Sequence, residues 1–281
     1  MKDFKGKTAF ITGAASGIGY ALARVFAREG MNVVLADIEK AALDAACTEL
    51  EQAGHSVLGV EVDVADSSSV ARARDIALGA YGAVHLVINN AGVNAPGALD
   101  EVSYADWQWV LSVNLWGAIH GVHEFLPELK KHGAEAHLIN TASVGGLVGM
   151  RNLAIYNASK FAVVGLSEGL RADAKKFGFG VSVLCPGIVR TRINSSQRNR
   201  PVEDGDASAA APAHMQPGTD PAELAEQVLT AVKAGEFFIC THPEFAPVLK
   251  QRHAAIERSS EGDPSEIMVG IVNRLVPPFE P

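Results

Sequence analysis

The sequence predicts an α/β fold, a doubly wound parallel sheet of about seven strands with helices on both faces. Three observations carry this expectation. Short β-branched runs alternate with longer segments of helical period over the first two thirds of the chain. Most of the short runs are apolar almost throughout, as strands covered on both faces must be. A glycine-rich turn, Thr12-Gly13-Ala14-Ala15-Ser16-Gly17-Ile18-Gly19, joins the first run to the first helical segment.

In chain order, strands are expected at Lys7 to Ile11, Asn32 to Ala36, Ser56 to Val62, Val84 to Ile88, Ala136 to Asn140, Gly180 to Leu184 and Phe237 to Cys240. Between them, Ile18 to Glu29, Lys40 to Ala53, Ser68 to Tyr81, Tyr104 to Lys131 and Tyr156 to Phe177 repeat apolar residues every three or four positions, which predicts crossover helices. Arg198 to Gly218 breaks this rhythm. It is rich in Ala, Pro, Gly, Asp and Ser and has no apolar period to anchor it, so a long loop is expected, with 192–218 acting as a substrate lid. Helix resumes over Pro221 to Ala234, with Asp220 as N-cap and a proline in the first turn. One domain is expected over 1–260, followed by a C-terminal extension, 261–281, whose apolar stretch Ile267 to Phe279 should dock on protein.

Of the 281 residues, 48% are hydrophobic and 20% charged, a composition that folds into a sizeable core. A net charge of −8 gives no basic footprint for nucleic acid or an anionic membrane surface, so neither is expected as a partner. Cys47, Cys185 and Cys240 are far apart in sequence and form no C-x-x-C pair, so neither a disulfide framework nor a metal site is expected. The first apolar stretch, Thr8 to Thr12, is too short for a signal-peptide core or a membrane span, and a cytoplasmic location is the default.

The glycine turn sits where backbone N–H groups can approach a pyrophosphate at a helix N-terminus. Its G-x-x-x-G-x-G spacing departs from the general G-x-G-x-x-G fingerprint. An acid, Asp37, follows the second strand roughly 20 residues later, where it can accept hydrogen bonds from ribose hydroxyls, cap the next helix, or do both. Its charge would repel a 2′-phosphate, and Ala14, Ala15 and Ile38 supply no positive charge, which favours NAD over NADP. Farther on, Tyr156 and Lys160 are four residues apart, on one face of a helix. The ammonium is expected to lower the phenol's pKa and make it a usable acid and base. Such a pair is also common on helix surfaces. It gains meaning from Asn140-Thr141-Ala142-Ser143 at the end of the fifth strand, Asn89-Asn90-Ala91-Gly92 at the end of the fourth, and Asn114 within a helix, since open parallel sheets bind ligands at strand carboxyl ends.

With these motifs the chain resembles the single-domain branch of the short-chain dehydrogenase/reductase family over about Lys5 to His242. The resemblance implies a Rossmann-type fold and an NAD-dependent oxidoreductase acting on CH–OH groups, with hydride transfer between the nicotinamide and a small-molecule alcohol or ketone. It makes Tyr156 the general acid/base, Lys160 its electrostatic partner and a ribose ligand, Ser143 the hydroxyl that polarises the substrate oxygen, and Asn114 the holder of a relay water. The cofactor would lie along Gly13, Ser16, Gly17, Ile18, Gly19, Asp37, Asp63, Val64, Asn90, Ala91, Gly92, Tyr156, Lys160, Pro186, Gly187, Val189 and Thr191. The substrate would meet Val93 to Pro96, Val144 to Asn152, Val189, Arg190 and the lid, a mostly apolar set suited to a bulky, apolar or aromatic alcohol. Arg151 or Arg190 could receive a carboxylate, and Gly145-Gly146 would leave space beside the reacting carbon or simply form a turn. Met1 to Phe4 and Phe237 to Glu244 are similar to bacterial dehydrogenases that oxidise the benzylic Cα hydroxyl of lignin-derived aryl ethers. Steroid, cyclic-alcohol and 3-oxoacyl reductases share the same core, and a non-catalytic NAD-binding sensor is the rival from another class. The resemblance also implies a homo-oligomer, a dimer or tetramer, paired through the two long helices.

Overall fold

The computed structural model describes residues 1–201, 218–262 and 265–275. Seven strands pair in parallel: β1 (Thr8–Thr12), β2 (Asn32–Asp37), β3 (Val57–Glu61), β4 (Leu86–Asn89), β5 (His137–Thr141), β6 (Gly180–Leu184) and β7 (Phe238–Ile239). Their order across the sheet is β3-β2-β1-β4-β5-β6-β7, so the chain winds outward from β1 in one direction, returns to β4, and winds outward in the other. Neighbouring carboxyl ends of β1 and β4 therefore splay apart at the point where ligands bind in such sheets.

The strand period of two decides how the sheet is covered. In β1, Ala9 and Ile11 point into one apolar layer while Phe10 points into the other, and all three are fully buried. Helices α1 (Gly17–Arg28), α2 (Lys40–Gln52) and α7 (Pro221–Ala234) close the first layer. The second is closed by α3 (Ser67–Tyr81), α5 (Gly117–His132) and α6 (Ala154–Ala174), with Phe10 and Phe125 4.6 Å apart at its centre. Each large side chain buried in these layers contributes about 1.5–3 kcal/mol.

The expected helix from Tyr104 to Lys131 is one continuous run with a defect in it. Helix α4 (Tyr104–Leu111), opened by a reciprocal Ser103–Asp106 capping box, passes through a π-helical turn, Ser112–Trp116, into α5. The wider turn buries Asn114, 2% exposed, inside the protein. At α7 the expectation holds in detail: Asp220 accepts a hydrogen bond from the Ala222 N–H at 2.9 Å, and Pro221 occupies the first turn.

Two placements were not visible in the sequence. Arg198 to Gly218 lacks an apolar period, and its first residues are held by charge instead: Ile193–Asn199 forms a 3-10 helix, Arg198 pairs with Glu39, and Arg200 pairs with Asp106 beneath the surface. Thr219 then returns beside Val189, exchanging backbone hydrogen bonds with Ile188 and Arg190. The remainder of the expected lid, 202–217, lies outside the described residues. Likewise Cys185 and Cys240, remote in sequence, follow the ends of the adjacent strands β6 and β7. Beyond the sheet, α8 (Ala246–Ser259) buries none of its residues, and α9 (Glu266–Leu275) leaves Met268, Val269 and Val272 exposed. Among the described residues no helix is long and apolar enough to cross a membrane, and no group of His, Cys, Asp or Glu could hold a metal ion.

Candidate active site

A cleft of about 1390 Å³ runs along the carboxyl ends of the strands from the glycine turn to Phe245. A single ligand cleft is roughly 300–1,000 Å³, so there is room for a dinucleotide and a substrate together. Of the residues expected to bind cofactor or react, Gly13, Ser16, Gly17, Ile18, Asp37, Asp63, Val64, Asn90, Ala91, Gly92, Ser143, Tyr156, Lys160, Pro186, Gly187, Val189 and Thr191 all line it. Gly19 and Asn114 do not.

The glycine turn is built for close approach. Gly13 and Gly17 have positive φ (65° and 57°), and a Cβ on Gly13 would lie 2.9 Å from the Ala91 Cα. Gly19 serves packing, since a Cβ there would come within 2.1 Å of the Gly13 carbonyl oxygen. Thr12 and Asn90 tie β1 to β4: the Thr12 hydroxyl accepts hydrogen bonds from the Asn90 and Ala91 N–H groups, and the Asn90 amide donates to the Thr12 carbonyl. Asp37 pins the turn to β2, accepting from the Ala15 N–H at 2.9 Å and from the Glu39 N–H at 3.0 Å. Glu39, not Asp37, is the N-cap residue of α2. A backbone cradle without side-chain bulk, flanked by a carboxylate, fits the phosphates and ribose of a dinucleotide.

Positive charge does reach this end, from a part of the chain the sequence reading did not connect with it. Arg198 and Arg192 both pair with Glu39, and the Asn199 amide donates to the same carboxylate. The hydrogen bond from Arg198 is the main reason the Glu39 carboxyl is held down at about 2.

At the other end, Ser143 follows β5 and Tyr156 and Lys160 rise from the first two turns of α6. The Ser143 Oγ accepts from the Gly145 N–H at 3.1 Å and donates to the Pro186 carbonyl at 3.3 Å. Lys160, 2% exposed, donates to the Thr141 carbonyl at 2.9 Å, and burial pushes its ammonium down to about 8. Its Nζ is 5.6 Å from the centre of the Tyr156 ring. The phenol itself is raised, against the sequence expectation. Burial raises it and a hydrogen bond with the Ser143 side chain offsets part of the rise. Desolvation disfavours the phenolate and outweighs that offset.

Asn114 has both ends of its amide committed. Oδ1 accepts from the Val93 N–H at 2.8 Å, and Nδ2 donates to the Val93 carbonyl and the Ser159 hydroxyl. Gly145 and Gly146 leave no open space: Cβ atoms there would lie 2.9 Å from Met150 and 2.5 Å from the Lys160 carbonyl oxygen, so their small size lets the loop press against α6.

The substrate end departs furthest from expectation. Val93, Asn94, Val144, Met150, Val189 and Arg190 line the cleft, whereas Ala95, Pro96 and Arg151 do not, and Arg190 pairs with Asp220. Trp109, Val113 and Phe245 complete the wall and were missed, and Ile193 and Arg200 reach it from the expected lid. Trp109 is buried, with the Arg200 guanidinium 5.3 Å from its ring, and Arg200 in turn meets the buried Asp106. Burial pushes the Asp106 carboxyl up, but hydrogen bonds from Arg200 and Ser103 together hold it below its ordinary value. The Ser103-x-x-Asp106 capping signature was the signal available for Asp106; nothing in sequence ties it to Arg200. His242 was also missed as a support. Its Nδ1 accepts from the Gly187 N–H at 2.9 Å and its Nε2 lies 3.1 Å from the Ile188 carbonyl, so the end of β7 buckles onto the Pro186–Thr191 loop.

The family model described as short chain dehydrogenase matches residues 7–201. The chain is 36% identical over 276 residues to the C alpha-dehydrogenase of Sphingobium sp. strain SYK-6, covering 94% of this chain and 90% of the relative. It is 33% identical to the CLA biosynthesis dehydrogenase/reductase of Lactiplantibacillus plantarum, covering 97% of this chain and all (100%) of the relative. Among solved structures, a short chain dehydrogenase/reductase from Burkholderia phymatum, in complex with NAD, superposes with a TM-score of 0.87 at 40% identity, covering 95% of this chain and 100% of that one.

Proposed function

From the premise that the chain belongs to the short-chain dehydrogenase family, we propose that it interconverts a secondary alcohol and a ketone with NAD, Tyr156 moving the proton. One observation carries the reading: Ser143, Tyr156 and Lys160 line the same cleft as the Gly13–Gly17 turn and Asp37. When bound, the nicotinamide cofactor supplies the carbon that takes or gives the hydride.

The chain's own residues handle the oxygen and its proton. In oxidation the Tyr156 phenolate takes the alcohol proton, while the Ser143 hydroxyl donates to the substrate oxygen, a contact worth about 3 kcal/mol in comparable sites. In reduction the protonated phenol gives the proton back. Burial favours that protonated form, so oxidation should speed up and reduction slow down as pH rises. Lys160 supplies positive charge behind the phenol and holds the end of β5 through Thr141. Asn114 is assigned a positioning role, fixing Val93 of the cleft wall and the buried Ser159 of α6. Asp37 favours NAD over NADP by charge.

The substrate is inferred to be a bulky apolar or aromatic alcohol, such as a lignin-derived benzylic alcohol. Trp109, Phe245, Met150, Val144 and Val93 support this, as does the name of the Sphingobium relative. We further infer a cytoplasmic enzyme forming one domain over 1–260 and assembling as a dimer or tetramer through α4–α5 and α6, where Tyr104 (89%) and Trp116 (53%) stand exposed.

Tyr156→Phe should lower turnover by about 10²–10⁴-fold while NAD still binds, read by NADH absorbance and cofactor titration. Retained turnover would refute the proton role. Alcohols and ketones screened with NAD and NADP decide the substrate: turnover of steroid or cyclic alcohols without β-aryl ether alcohols would overturn the aromatic assignment, and no turnover at all would favour a sensor.

A further inference from the structure

Cys185 and Cys240 were unremarkable in sequence, and the fold sets them side by side. The pairing of β6 with β7 runs Val183↔Phe238 and Leu184↔Ile239, and one more residue on each strand sets Cys185 opposite Cys240. The Cys185 N–H donates to the Ile239 carbonyl at 2.8 Å, holding that register past the last paired residues. Neighbouring strands lie about 4.7–4.9 Å apart, inside the Cα separation of roughly 4.4–6.8 Å that a disulfide spans. The two thiols share a hydrogen bond, with Cys185 fully buried and Cys240 exposed.

We propose that Cys185 and Cys240 are a peroxide-reactive pair that closes to an intrachain disulfide, and that closure slows the adjoining site. The two thiols divide the labour. The hydrogen bond with Cys185 holds the Cys240 thiol below its ordinary pKa, so the exposed sulfur is the one that ionises and meets the oxidant. The same hydrogen bond, and then burial, push Cys185 well up, so it waits as a protonated partner. Cys47 is half-buried, and burial, then the Glu51 and Asp44 charges, push its thiol up as well.

With hydrogen peroxide, the Cys240 thiolate attacks one oxygen, the O–O bond breaks, and the departing hydroxide is protonated to water. The resulting sulfenic acid is attacked by the Cys185 sulfur: the S–O bond breaks, the S–S bond forms, and the thiol proton leaves with the hydroxyl as a second water. Two thiols lose two electrons and one peroxide gains them.

The link to catalysis is direct. The Cys185 sulfur accepts a hydrogen bond from the Ser143 backbone N–H and feels the Lys160 charge, while Cys240 precedes the His242 that holds Gly187. A new bond between the sulfurs draws one away from Ser143 and tethers β7 to the loop under the substrate. This second half of the proposal rests on the site assigned above.

The test treats full-length protein with hydrogen peroxide, blocks free thiols and maps peptides without reduction. A Cys185–Cys240 crosslink is expected, with Cys47 still alkylated, turnover down by about tenfold or more, and recovery with dithiothreitol. Cys240→Ser should keep basal turnover and resist peroxide. Cys185→Ala should leave the Cys240 sulfenic acid to be trapped by dimedone. No crosslink, a crosslink between two chains through Cys240, or a crosslink with unchanged turnover would overturn the proposal. The peptide map is read independently of activity, so a failed substrate assignment does not obscure it.

Discussion

Glu39 shows most sharply how much of a site a residue can carry without announcing it. In sequence it is one more acid after the second strand, and the nearby Ala14, Ala15 and Ile38 suggest a region without positive charge. The structure brings Arg192 and Arg198 to it from far along the chain. Such ion pairs are individually weak, but a carboxylate shared by two guanidinium groups and an amide holds the 3-10 helix Ile193–Asn199 against the cofactor end of the cleft. Because the folded Glu39 is depressed from 4.5 to about 2, its contribution is complete above 4.5 and is lost as pH falls toward about 2. Glu39→Gln should therefore cost about 1 kcal/mol at neutral pH, and thermal melts of variant and wild type should converge as the buffer is acidified. The same physics explains what was legible: Asp37, Ser143, Tyr156 and Lys160 are fixed by local motifs at strand and helix ends, whereas Glu39, Asp106, Arg200 and His242 acquire their roles through contacts that only tertiary structure creates.

At the scale of elements, apolar period located each strand and crossover helix, and Asp220-Pro221 located the start of α7 to the residue. Period is blind to one extra residue in a turn, which is why the π-helical turn at Ser112–Trp116 was invisible while the helix around it was not. What the sequence did contain, unread, was the spacing of Gly117 and Gly121. A Cβ at Gly121 would sit 1.9 Å from the Asn89 Oδ1, and one at Gly117 would meet Val64 at 2.8 Å, so α5 lies almost on the ends of β3 and β4. Gly121→Ala should destabilise the protein by about 1–3 kcal/mol and lower cofactor affinity, because Asn89 precedes the Asn90 that joins two strand ends. Denaturant melts with and without NAD measure both effects.

For the whole molecule, the exposed apolar residues of α9 ask for a cover. We expect it to come from a neighbouring subunit, so truncation after Glu261 should reduce the assembly mass seen by light scattering, and an unchanged mass and activity would rule this out. The winding of the sheet has a consequence in time as well as space. Strands β3, β2, β1 and β4 are complete by Asn89, and Gly13, Asp37 and Asp63 stand at or just past their carboxyl ends before Ser143 or Tyr156 has been synthesised. At about 5–20 residues per second on a ribosome, the nucleotide cradle has several seconds to assemble alone. The newborn chain could then gain a ligand before it gains any chemistry, with each later strand added to an edge already in register.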